Sequence, residues 1–102
     1  MPAYMVVEVS VQDPKWVADY QRDVPAIIER FGGRYLTPAS RAVLLEGEGD
    51  APQTLAILEY PSMDAAKAML ACPEYQPYAK ARQAGATTRI VAIEPRAPKT
   101  AS

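Results

Sequence analysis

Two segments of this chain read as β-strands that are apolar on both faces. One is Ala3-Tyr4-Met5-Val6-Val7-Glu8-Val9 and the other Leu55-Ala56-Ile57-Leu58-Glu59-Tyr60. A sheet that faces water on one side alternates apolar and polar residues, and these segments do not. Both faces therefore need cover, yet the chain has helical sequence enough for one. A second copy of the chain is the expected cover, so the sequence predicts a homodimer.

The 102 residues make one domain with one modest core. Acids and bases are scattered, the formal net charge is −1, and no basic stripe exists for nucleic acid. No apolar run approaches the roughly 20 residues of a membrane span, and no secretory signal is visible. A single cysteine, Cys72, cannot form an internal disulfide, which suits a reducing cytoplasm. Histidine is absent. That removes the commonest acid–base group and metal ligand, so no metal and no cofactor is expected. Gly32-Gly33 and Gly47-Glu48-Gly49 lack the helix that a phosphate loop requires and read as turns.

The order of elements is strand, helix, strand, strand, helix, strand. Asp13-Pro14 starts the first helix, Asp13 capping and Pro14 at the first helical position. Trp16, Val17, Tyr20, Val24, Ile27, Ile28 and Phe31 form its apolar stripe, which assigns Trp16 and Tyr20 to the core. Pro25 should bend this helix, and Gly32-Gly33 ends it. Strand two is Arg34-Tyr35-Leu36-Thr37, with an extended piece over residues 42–46 that continues it or pairs beside it. Pro61-Ser62 stops strand three, and Ser62 caps the second helix. Cys72-Pro73-Glu74 breaks that helix and restarts it with Tyr75, Tyr78, Ala79 and Arg82 at helical spacing. That set reads as an amphipathic face with wet tips, or alternatively as a lid. Gly85 closes the helix, residues 87–93 are strand four, and residues 96–102 read as a disordered tail beyond a domain of residues 1–95.

This order is the ferredoxin-like βαββαβ motif, an α+β fold with strand order 4-1-3-2 and both helices on one face. Strands one and three are expected to lie parallel in the centre. On that arrangement Glu8 and Glu59 share one end of the sheet, and Arg34, Tyr35 and Arg89 reach the same end. Met5, Val7 and Val9 face the helices, while Tyr4, Val6 and Glu8 face the open side.

Gly32-Gly33-Arg34-Tyr35-Leu36, Leu58-Glu59-Tyr60-Pro61-Ser62-Met63, Cys72-Pro73-Glu74-Tyr75-Gln76 and the later Arg82 together resemble the family called domain of unknown function 1330. The resemblance spans residues 3–95. It departs at Thr37-Pro38-Ala39-Ser40, where a second arginine and a glycine pair are expected. It implies membership of the dimeric α/β barrel superfamily, in which two sheets face each other. That superfamily includes cofactor-independent monooxygenases, lactone isomerases and polyketide cyclases.

Two readings of the charged residues follow. In the first, a cofactor-independent enzyme acts on a small carbonyl-bearing molecule in a dimer cleft. Glu8 or Glu59 is its general base, Arg34 and Arg89 clamp an anionic oxygen, and Tyr35 and Tyr4 contact the substrate. In the second, Glu8–Arg89 and Arg34–Glu59 are cross-strand ion pairs, and the dimer is a non-catalytic ligand-binding or assembly module.

Overall fold

The computed structural model describes residues 1–96; most of the segment read as a disordered tail lies outside them. A four-stranded sheet has the order β2-β3-β1-β4, with β1 Ala3–Val11, β2 Arg34–Arg41, β3 Thr54–Tyr60 and β4 Ala86–Ile93. Helix α1, Val17–Arg30, crosses from β1 to β2 after a short 3₁₀ turn at Pro14–Trp16. Helices α2, Met63–Ala71, and α3, Gln76–Gly85, together cross from β3 to β4.

Local chemistry sets the boundaries. The Asp13 carboxylate accepts from the Lys15 amide at 3.0 Å, as a helix cap should. The Ser62 hydroxyl accepts from the Ala65 amide at 3.0 Å and opens α2. Gly32, at φ 79°, turns the chain out of α1, and the Gly33 amide donates back to the Ile28 carbonyl at 3.0 Å. Pro25 lies inside α1, which runs on through it unbroken.

The strand order is as expected, but β1 and β3 are antiparallel, with Ala3 opposite Tyr60 and Val9 opposite Thr54. The reason is topological. The crossover through α1 makes β1 and β2 parallel, and β3, the hairpin partner of β2, inserts between them and must oppose both. The expectation of parallel central strands is corrected accordingly. β2 is also longer than expected. It runs through Pro38 to Arg41, and residues 42–46 are not a strand. Register shifts between Tyr35 and Thr37 and between Thr37 and Ser40 admit Pro38, which has no amide to donate, into this edge strand.

The core lies between the helices and one face of the sheet. Met5, Ala56, Leu58 and Tyr60 from the strands meet Val24, Ile27, Ile28, Ala66, Met69, Tyr75 and Ala79 from the helices. As the pattern in β1 predicts, Tyr4, Val6 and Glu8 lie on the opposite face. There, among the described residues, no element of the chain covers the sheet, and Val91 and Ile93 are 48% and 59% exposed.

Candidate functional site

The antiparallel register separates the charged residues expected at one mouth. Glu8 pairs across with Arg89 on β4 and with Leu55 on β3, whereas Glu59 pairs with Tyr4 and Arg34. The two acids therefore sit at opposite ends of the β1–β3 ladder. Arg34 Nε donates to Glu59 Oε1 at 2.8 Å. This hydrogen bond holds the Glu59 carboxyl below its usual pKa, and the adjoining carboxylate raises the Tyr4 phenol. At the other end, Arg89 Nη1 lies 3.9 Å from Glu8 Oε2. Both acids face a guanidinium, and Arg34 and Arg89 are largely exposed.

Tyr35 belongs elsewhere. Its register partner, Leu58, is in the core, so Tyr35 projects toward the helices rather than beside Arg34. There it helps line a pocket of about 470 Å³ between α1, α3 and the sheet. Trp16, Val17, Tyr20 and Pro25 form one wall; Val9, Thr54 and Ala56 form the sheet side; Arg82 comes from α3. That volume is within the usual range for small-molecule sites, roughly 300–1,000 Å³. A separate gap of about 40 Å³ lies deeper, between Tyr20, Tyr35, Tyr60 and Tyr75.

Several sequence expectations change here. Trp16 and Tyr20 are not simply core, because both line the open pocket. Their rings meet edge to face at 5.3 Å, and Tyr20 meets Tyr75 at 6.0 Å. The Tyr20 and Tyr75 hydroxyls lie 2.6 Å apart. Burial, reinforced by Tyr75, pushes the Tyr20 phenol well above its usual pKa. Burial raises Tyr35 as well. Tyr75 and Arg82 have no wet tips, being 2% and 4% exposed. Only Tyr78 matches the amphipathic reading, half-buried and donating to Asp23 at 2.7 Å.

Arg82 is the unusual member. Its Nη1 donates to Thr88 Oγ1 on β4. Among the described residues it forms no ion pair with a carboxylate, and its Nε is buried with no acceptor. The Trp16 Nε1 also has none. A buried charge is normally paired, because removing one partner of a buried ion pair costs about 3–5 kcal/mol. The polar side chains lining the pocket are Trp16, Tyr20, Tyr35, Gln21, Gln53, Thr54 and Arg82, with no Asp, Glu, Lys or Cys among them. The site is therefore rich in hydrogen-bond donors and lacks a carboxylate base. One sequence signal pointed to Arg82: it follows Tyr75 and Ala79 at spacings of four and three on an otherwise apolar face. Among the described residues, no group of three or more His, Cys, Asp and Glu is placed to hold a metal ion.

An antiparallel βαββαβ sheet with helices on one face and an apolar opposite face is the fold of the dimeric α/β barrel proteins, here with a donor-lined pocket under its first helix. Within that class, the chain belongs to the family described as "Domain of unknown function (DUF1330)", whose profile matches residues 2–95. Solved structures share the fold. A protein of unknown function from Rhodopseudomonas palustris, RPA0582, is 26% identical with a TM-score of 0.76, covering 95% of this chain and 84% of that one. SnoaB, a cofactor-independent oxygenase from Streptomyces nogalater, is 22% identical with a TM-score of 0.61, covering 97% of each. A hypothetical Arabidopsis thaliana protein shares the fold at 13% identity and a TM-score of 0.67, covering 96% of this chain and 91% of that one. No curated protein matches the sequence significantly. No helix among the described residues is long and apolar enough to cross a membrane.

Proposed function

We propose that this protein binds a small, largely apolar organic molecule in the pocket between α1 and the sheet, without a cofactor. The observation that carries this reading is the pocket itself. It is about 470 Å³ in volume and is walled by Trp16, Tyr20, Tyr35 and Pro25, with small side chains at Ala56 and Ala39 leaving room. Aromatic walls with a few fixed donors are what ligand recognition uses. Isothermal titration with trans-cinnamate and trans-cinnamamide tests it. The chain has a single tryptophan, so one indole N–H resonance reports occupancy of this pocket. Binding of at least one of the pair, with a shift of that resonance, is expected. Absence of both effects for both compounds at millimolar concentrations would overturn the reading.

A catalytic version draws on SnoaB, a cofactor-independent oxygenase of the same fold, and on a pocket lining that offers Tyr, Trp and Arg donors and no carboxylate. Such a site suits a substrate whose own enol or phenol oxygen carries developing negative charge, stabilised by Tyr and Arg donors. In this version Glu8 and Glu59 are not bases but ion-pair partners of Arg89 and Arg34, which fits their place on the opposite face.

We also propose that two copies pair through the uncovered sheet face. Val6, Ile57, Val91 and Ile93 give that face an apolar surface of a kind rarely left open on a monomer. A two-fold dimer should bury on the order of 1,500 Å² in total. Light scattering should give twice the chain mass at micromolar concentration, and Val91→Glu should lower it. A monomer mass for the native chain would refute the assembly.

A further inference from the structure

We propose that the ligand of this pocket is an anion and that its negative charge is seated on Arg82. The inference rests on the pocket reading above and adds to it the chemical class of the occupant: a flat apolar body carrying one carboxylate, or an enolate or phenolate oxygen. Arg82 is only 4% exposed, yet among the described residues no carboxylate pairs with it. Its Nη1 donates to Thr88, which anchors the guanidinium to β4, while its Nε is buried with no acceptor. A guanidinium presents five donors in a fixed fork suited to a carboxylate. This one lines the pocket with its Nη1 tied to Thr88 and its Nε sealed without an acceptor, so its unpaired charge is what it presents to the cavity.

The rest of the lining agrees with an anion. No acidic side chain lines the pocket to repel one. The Tyr20 and Tyr35 phenols that line the pocket with Arg82 are protonated at neutral pH and do not compete as anions. Trp16, Tyr20 and Tyr35 supply the flat apolar surfaces for the body of the ligand. A neutral apolar ligand that filled the pocket would displace water from it and leave the guanidinium charge uncompensated.

The test compares trans-cinnamate with trans-cinnamamide, which match in shape and differ in charge, on the native chain at neutral pH. Cinnamate is expected to bind about tenfold or more tightly, the ratio of a hydrogen bond to a charged group over a neutral one. Arg82→Met should abolish that preference, bringing cinnamate down to about the affinity of cinnamamide for the same variant. Arg82→Lys, which keeps the charge but loses the fork, should retain part of it. The native comparison stands even if a variant fails to fold. Equal binding of the two compounds would overturn the anion assignment and leave the pocket reading intact. Binding of neither would overturn both. A preference for cinnamate that survives Arg82→Met would place the charge elsewhere and refute the role of Arg82.

Discussion

Gly85 joins three parts of the fold, and replacing it with alanine should loosen all three. Its carbonyl accepts from the amides of Gln12 and Asp13, both at 2.9 Å, tying the end of β1 to the end of α3. A Cβ at this position would lie 2.8 Å from the Asp13 carbonyl oxygen and 2.8 Å from Trp16 Nε1, and closer still to Trp16 Cδ1. The carbonyl is backbone, fixed by the same junction. The junction must therefore shift, and the indole must move as well, with the pocket it lines as the space into which it can swing. Overpacking of this kind costs about 1–3 kcal/mol. Alanine returns up to about 1 kcal/mol through its better helix propensity. With the full gain subtracted, the net loss is about 0–2 kcal/mol, centred near 1 kcal/mol, or a fall of about 4–8 °C in Tm for a domain of this size. Thermal unfolding by circular dichroism measures the loss, and emission from Trp16 reports the local shift. An alanine variant as stable as the native chain, with unchanged emission, would show that the glycine is not required for the close approach.

Leu58→Asp places a carboxylate at a site 3% exposed among Met5, Ile28 and Tyr60. The cost approaches the whole stability of a small domain, so little folded protein is expected; a cooperative melt near the native Tm would contradict the core assignment. Ser62→Ala removes the cap on the Ala65 amide and should cost about 1 kcal/mol; denaturant unfolding should show most of that loss restored by Ser62→Asp. Asp23 accepts from Arg22 and from Tyr78, and these contacts lower its carboxyl to about 2 from 3.8. A depressed carboxyl stabilises the fold fully above its unfolded pKa and loses that effect as pH falls through the folded one. Asp23→Asn should therefore flatten the loss of stability between about pH 4 and pH 2, and an unchanged acid limb in a pH series of melts would count against the contact.

Much of the fold is written locally. Spacings of three and four placed the apolar stripe of α1, Asp13 and Ser62 marked helix starts, Gly32 marked an end, and Cys72-Pro73 marked the break between α2 and α3. These are decided within a few residues, by caps, breakers and periodicity. The handedness of crossovers was enough for the strand order, and the double-sided apolar pattern of β1 and β3 announced an uncovered face. What periodicity could not decide was which residues from distant elements meet. Strand two is too short in its sequence pattern to mark an inner face, so the sequence groups Tyr35 with its neighbour Arg34, whereas the register of β2 sends it to the helices. The bulges that extend β2 through Pro38 depend on its pairing with β3, not on its own sequence. The antiparallel insertion of β3 then divided one supposed charged mouth into two ion pairs at opposite ends. The pocket depends still more on tertiary structure. It exists because α1 and α3 stand off a sheet whose side chains there are small, and because Trp16 and Arg82, 66 positions apart, are brought to one cavity. Local pattern determines what each segment becomes, whereas the space between segments, and the unpaired charge left within it, arises only when they pack.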